Sequence, residues 1–269
     1  MFELLLPALA TCLVLAGVLG YFGLHVLLRE VIFVDLALAQ LAALGAAVAR
    51  VALPEAHEAT VYACSFAFTL AGAGIFGGIH TGHRRVPQEA LIGIVYGVSA
   101  ALVVLVLSKS ALDRDEIEHL LTGRLLFVQW AELATTLGLC ALVAALHLRL
   151  GRRFFARSRQ RRDATPGGPD RWLDFVFYAS FGVIVTSTVQ IAGVLVVFSL
   201  LIVPAACAAL FWAGLRARLL GAWAIGSAAS LAGLAASAAQ DLPTGPAVVA
   251  ALGVAFAAAI GLSGSLRGR

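Results

Sequence analysis

A succession of apolar runs, each about 20 residues long and separated by short charged or Pro/Gly-containing breaks, limits this chain more than any other feature. A helix rises 1.5 Å per residue, so a run of that length crosses the roughly 30 Å hydrocarbon core of a bilayer. Nine such runs fit, at about 4 to 28, 31 to 50, 59 to 79, 89 to 108, 130 to 148, 172 to 190, 192 to 213, 219 to 239 and 247 to 266. The thinnest boundaries are Arg29-Glu30 and Gln190 to Gly193, where a helix need only bend, so an eight-span alternative stays open. Composition agrees, with 61% of residues hydrophobic and 13% charged, far from the roughly 25% charged of soluble domains. The expected fold is an all-α polytopic membrane protein, with 1–269 as a single transmembrane domain. Met1-Phe2-Glu3 lacks a basic n-region, so the first run is read as a retained span.

The arginines orient the spans, because positively charged loops stay in the cytoplasm. The segment 149–171 carries Arg149, Arg152, Arg153, Arg157, Arg159, Arg161, Arg162 and Arg171, and is placed inside as a basic loop. Nine spans then put Arg29, Arg84, Arg85, Arg216, Arg218, Arg267 and Arg269 inside too, with the amino terminus outside and the carboxyl terminus inside. Outer loops collect Glu55, Glu58, Asp113, Asp115, Glu116, Glu118 and Asp241. Residues 109–129 read as an amphipathic segment on the outer surface. The four-residue spacings Gly74/Gly78 and Gly93/Gly97, and the series Gly17, Gly20, Gly23, are expected to let helices approach closely.

Several chemistries are excluded or disfavoured. Lys109 is the sole lysine and has no glycine in the residues before it, so no phosphate-cradling Walker loop exists. No soluble domain is available to read nucleic acid, and no Ser-His-Asp or paired-carboxylate set shares one face. Cys12, Cys64, Cys140 and Cys207 are far apart in apolar runs and read as small core residues. His80 and His83 could clasp a cation if helical, but Arg84 and Arg85 follow at once; His25, His57, His119 and His147 read as solvated. Asp35 is the clearest ionisable residue within a span, and such residues mark a pathway by default. Its structural alternative is snorkelling, or pairing with Arg29. Gln40 follows five residues later, about 140° around a regular helix.

Three stretches carry a family resemblance. Gly193-Val194-Leu195 running through to Val203-Pro204-Ala205-Ala206 is similar to a "G-x-L-L … P-A-A" segment, and Asp241-Leu242-Pro243-Thr244-Gly245-Pro246 to a "D-l-P-t-G-P" turn before the last span. Gln88-Glu89-Ala90-Leu91-Ile92-Gly93-Ile94, with Leu120-Leu121-Thr122-Gly123, adds a weaker match. The chain resembles the permease subunits of zinc, manganese and iron ABC importers, the ABC-3 family. That resemblance implies an importer in the bacterial inner membrane, moving a divalent metal such as zinc or manganese by alternating access. It implies a cytoplasmic ATP-binding subunit, an extracytoplasmic metal-binding protein and a second permease copy as partners, with no cofactor held by this chain. Asp35, as a transient metal ligand, and Gln40 are the pathway candidates. Arg152, Arg153 and Arg157 are the candidates for contact with the ATPase, and Gly193, Pro204, Asp241, Pro243 and Gly245 carry the structural motif. The family's "G-D-x-x-S-H-A" in the second span is altered here, with Leu36 in the Asp slot and Gln40 in the His slot. An ATP-independent transporter or channel is the alternative; such folds often show an internal repeat, which this chain lacks.

Overall fold

A computed structural model describes residues 2–53, 57–78, 87–107, 124–162 and 170–267. These form eight helices: α1 (Phe2–Arg29), α2 (Val34–Ala52), α3 (Glu58–Gly78), α4 (Gln88–Leu107), α5 (Trp130–Arg162), α6 (Arg171–Phe211), α7 (Leu215–Gln240) and α8 (Thr244–Arg267), with a 3-10 turn at Leu125–Phe127. Among the described residues there is no strand, and all eight helices are long and apolar enough to cross a membrane. The nine apolar runs thus become eight helical elements, because 172–190 and 192–213 join in the 41-residue α6. Its helical backbone is interrupted at Gly193, with φ 78° and ψ 158°, the location where the sequence left the boundary weak. Most of the expected outer segment 109–129, and the His80/His83 pair, lie outside the described residues.

Local chemistry explains several of the ends. α1 stops at Glu30, which takes a left-handed φ of 55°, and three further residues lead directly into α2. α5 starts where the Gln129 N–H donates to Glu132 Oε2 at 3.0 Å, while Arg124 Nη2 holds Glu132 Oε1 at 2.7 Å; a carboxylate reaching back to the first free amide is a helix-start device. At 33 residues, α5 runs well past bilayer thickness, and its surplus is the basic stretch from Arg149 onward. α6 is capped by Asp170, whose Oδ1 accepts the Leu173 N–H at 3.1 Å.

The chain divides into two compact units, each described by itself. One comprises the described residues of Met1–Leu27, Leu121–Ala141 and Gln190–Arg269. Its core holds Leu15, Leu19, Phe22, Leu200 and Leu201, and Gly23 lets α1 lie directly on the Leu201 carbonyl of α6. Gly17 and Gly20 likewise face Trp223 and Ala222 of α7. The other comprises the described residues of Leu28–Leu120 and Leu142–Val189, packed around Phe76, Phe154, Phe177, Tyr178 and Phe181. There α2 meets α3 where Gly45 faces the Cys64 and Ser65 backbone, and α3 meets α6 where Gly77 faces Phe175. By contrast, Gly74, Gly93 and Gly97 face open space among the described residues, so these members of the four-residue spacings pack against none of them.

Candidate functional site

Asp35 lies in the first turn of α2 and is 2% exposed, and its Oδ1 has no hydrogen-bond partner. The first turn of a helix favours negative charge through its free amides and dipole, which makes the position tolerable without a cation beside it. Gln40 is half-buried on the same helix, and Leu36, in the family's Asp slot, is half-buried too. Regular helix geometry sends Asp35 and Gln40 to different sides. Among the described residues, no group of three or more His, Cys, Asp or Glu could enclose a metal.

Arg29, the alternative partner for Asp35, makes a longer-range pairing instead. Arg29 Nη1 meets Asp174 Oδ1 at 3.0 Å, with both side chains fully buried, and Arg29 Nε donates to Ser158 Oγ at 2.9 Å. Arg157 holds the other carboxylate oxygen, with Nη2 and Nε at 3.1 and 3.3 Å from Asp174 Oδ2. The Arg29 guanidinium also lies 3.8 Å from the centroid of the Phe177 ring, a placement in which the ring face stabilises a cation. Each charge occupies the helix end that suits it: Arg29 the last turn of α1, Asp174 the first turn of α6, and Arg157 near the end of α5.

The arginines grouped for ATPase contact therefore part company. Arg152 and Arg153 are exposed on the basic stretch of α5, whereas Arg157 is buried and bound to Asp174. His147, expected to be solvated, is 5% exposed; its Nε2 lies 2.8 Å from Ser180 Oγ and its ring stacks on Phe154. His25, also expected in solvent, is fully buried. Sequence reasoning missed Asp174 and Ser158. The available signal was an aspartate four residues after Asp170 at the head of an apolar run, a position that needs a cation from elsewhere.

A hydroxyl seam joins α3 to α6 in the same unit. Tyr62 Oη and Ser187 Oγ are 2.7 Å apart, and Thr69 Oγ1 and Thr186 Oγ1 3.0 Å apart. Ser65, between them on that face of α3, is 1% exposed, and its Oγ has no partner.

The motif residues are chain-shaping. The break at Gly193 releases helical carbonyls, and the Ile191 carbonyl is taken at 3.0 Å by the Arg124 backbone N–H. Pro204 lies inside α6, where it cannot donate to the carbonyl one turn back, and its ring packs where Gly226 of α7 leaves room. Asp241 ends α7 in the left-handed conformation, its N–H on the Ser237 carbonyl. Ser237 Oγ then ties the turn by donating to the Leu242 carbonyl at 2.7 Å and by its contact with Thr244 Oγ1 at 3.1 Å. Pro243 follows in the exposed turn, and Gly245 is buried at the start of α8.

The chain is similar to known proteins in sequence and in fold. The manganese transport system membrane protein MntC of Halalkalibacterium halodurans is 24% identical over 255 residues, covering 93% of this chain and 84% of that protein. MntC of Listeria innocua is 25% identical over 254 residues, covering 93% and 87%. Among solved structures, PsaBC from Streptococcus pneumoniae in complex with a Fab aligns with a TM-score of 0.78 at 22% identity, over 96% of this chain and 91% of that one. An inward-facing conformation of a transporter assigned to the metal-chelate ABC type aligns with a TM-score of 0.70 at 19% identity, over 95% and 86%. The two structural likenesses establish a common fold. The sequence profile of the ABC 3 transport family matches residues 1–263, and the chain belongs to that family.

Proposed function

We propose that this chain is the membrane-spanning permease subunit of an ATP-driven importer for a divalent metal ion, working by alternating access with a cytoplasmic ATP-binding subunit. Family membership and the manganese relatives support the class of transporter. The observation that carries the metal reading is Asp35, a buried carboxyl within a span whose Oδ1 is unpartnered. A polar atom left so in a membrane costs free energy unless a ligand visits it. The carboxylate oxygens of Asp35 suit manganese better than zinc, which prefers nitrogen and sulfur. The chain takes its ion from an extracytoplasmic metal-binding protein, pairs with a second permease copy and resides in the bacterial inner membrane. It holds no cofactor of its own. The basic stretch of α5 with exposed Arg152 and Arg153 faces the ATPase.

The test begins with affinity purification from the native membrane in mild detergent, with the expected recovery of an ATPase. Vesicles containing that complex should take up Mn2+ only with ATP. Asp35→Asn should lower this uptake roughly tenfold or more, since losing a metal ligand costs at least what losing an outer-shell partner does. Wild-type uptake in Asp35→Asn would remove Asp35 from the path. Gradient-driven flux by the purified chain alone would make it an ATP-independent transporter.

A further inference from the structure

The Arg29–Asp174–Arg157 cluster does more than a buried ion pair needs to do. Charges taken out of water recover little net stability, and apolar replacements often serve as well; what guanidinium forks supply is fixed geometry. Here three helix ends are fixed at once. Arg157 belongs to the basic stretch of α5, a turn or so beyond the exposed Arg152 and Arg153. Asp174 opens α6, and Arg29 closes α1. From Arg29 the chain reaches α2 through only four residues. Glu30 is left-handed, Val31 is buried, and the Val34 N–H donates back to the Val31 carbonyl at 3.3 Å. The next residue is Asp35. A continuous path therefore runs from the exposed arginines to Asp35, by ion pairs as far as Arg29 and by covalent chain beyond it, all within one compact unit.

We propose that this cluster is the tie through which the ATPase, pressing on the basic stretch of α5, moves the start of α2 and so the surroundings of Asp35. Arg29, Asp174 and Arg157 are then positioning residues, with no contact to the transported ion. The inference rests on the importer reading given above. It differs from a packing role in what it predicts: loosening the tie leaves the complex assembled and hydrolysing ATP, yet wastes the hydrolysis.

Arg157→Gln tests this in the permease–ATPase complex reconstituted in vesicles, with ATP hydrolysis and Mn2+ uptake measured on the same sample. The substitution leaves Arg29 and Asp174 as a charge-balanced pair, so the helices stay joined while the ion pair to α5 is lost and only the Arg29–Ser158 hydrogen bond still reaches that helix. Hydrolysis should remain within about twofold of wild type, and uptake per ATP should fall about fivefold or more, the low end of coupling between distant sites. Arg157→Lys, which keeps the charge, should restore half or more of that ratio. An unchanged ratio in Arg157→Gln overturns the proposal, as does a parallel fall of hydrolysis and uptake, which is what a purely structural role produces. If Arg157→Gln does not assemble, Ser158→Ala is read in the same way, because it removes the acceptor of Arg29 Nε and keeps both ion pairs. A fall in uptake per ATP of about twofold supports the tie, and a wild-type ratio overturns it. Wild-type vesicles that take up Mn2+ without ATP would instead sink the importer reading itself.

Discussion

Asp35 and Asp174 are two aspartates in nearly identical settings, each in the first turn of an apolar helix and each almost completely shielded from solvent. One is bound on both oxygens by arginines from two other helices, while the other keeps an oxygen with no partner. The same residue type at the same kind of position thus has two environments. Where charge is matched by fixed cations, the site is settled and the helices around it are joined. Where it is not, the cost of burial stands uncovered, and the proposed metal path rests on that difference.

That contrast can be broken or sharpened by substitution. The largest effect is expected for Asp174→Ala, which leaves two buried guanidinium groups facing each other. Removing one partner of a buried pair costs about 3–5 kcal/mol, so the detergent melting midpoint and the yield of folded protein should collapse. A midpoint near wild type would show that Asp174 is no more a fixture than Asp35. Asp35→Asn should do the reverse in the same melting assay. It takes away a charge that no cation matches, so stability should hold or rise by about 1 kcal/mol; a clear drop would mean that the carboxyl has a structural partner, and the contrast would be lost. The smallest change is expected for Thr69→Val, which breaks a neutral hydroxyl contact with Thr186. Bonds of this kind between membrane helices average about 0.6 kcal/mol, so a shift of that size calibrates what partnering is worth without charge.

Much of the architecture was legible in the sequence, because a bilayer demands about 20 apolar residues per crossing and a run of that length is hard to disguise. Even the doubtful boundary near Gly193 proved to be the place where α6 is interrupted. The Asp241 turn was legible too, since a Pro two residues after a helix end is a local signal. The pairings were not. Arg29 lies six residues from Asp35 and 145 from Asp174, and proximity along the chain favoured the wrong one. His147 and His25 were judged by their distance from a helix end, whereas burial depends on which neighbour covers that side of the helix. The four-residue glycine spacings fell short for the same reason: Gly93 and Gly97 satisfy the pattern on a face of α4 that meets no other described residue, while Gly23 of the three-residue series and the isolated Gly45 and Gly77 make the close approaches.

The backbone at Gly193 has a consequence for handedness. At φ 78° and ψ 158° the residue occupies a region open in practice to glycine alone. A D-amino acid, for which a positive φ is the favoured sign, would be less strained there than an L-alanine. Position 193 thus asks for a residue of the opposite hand, and glycine, having none, is the one member of the genetically encoded set that can answer.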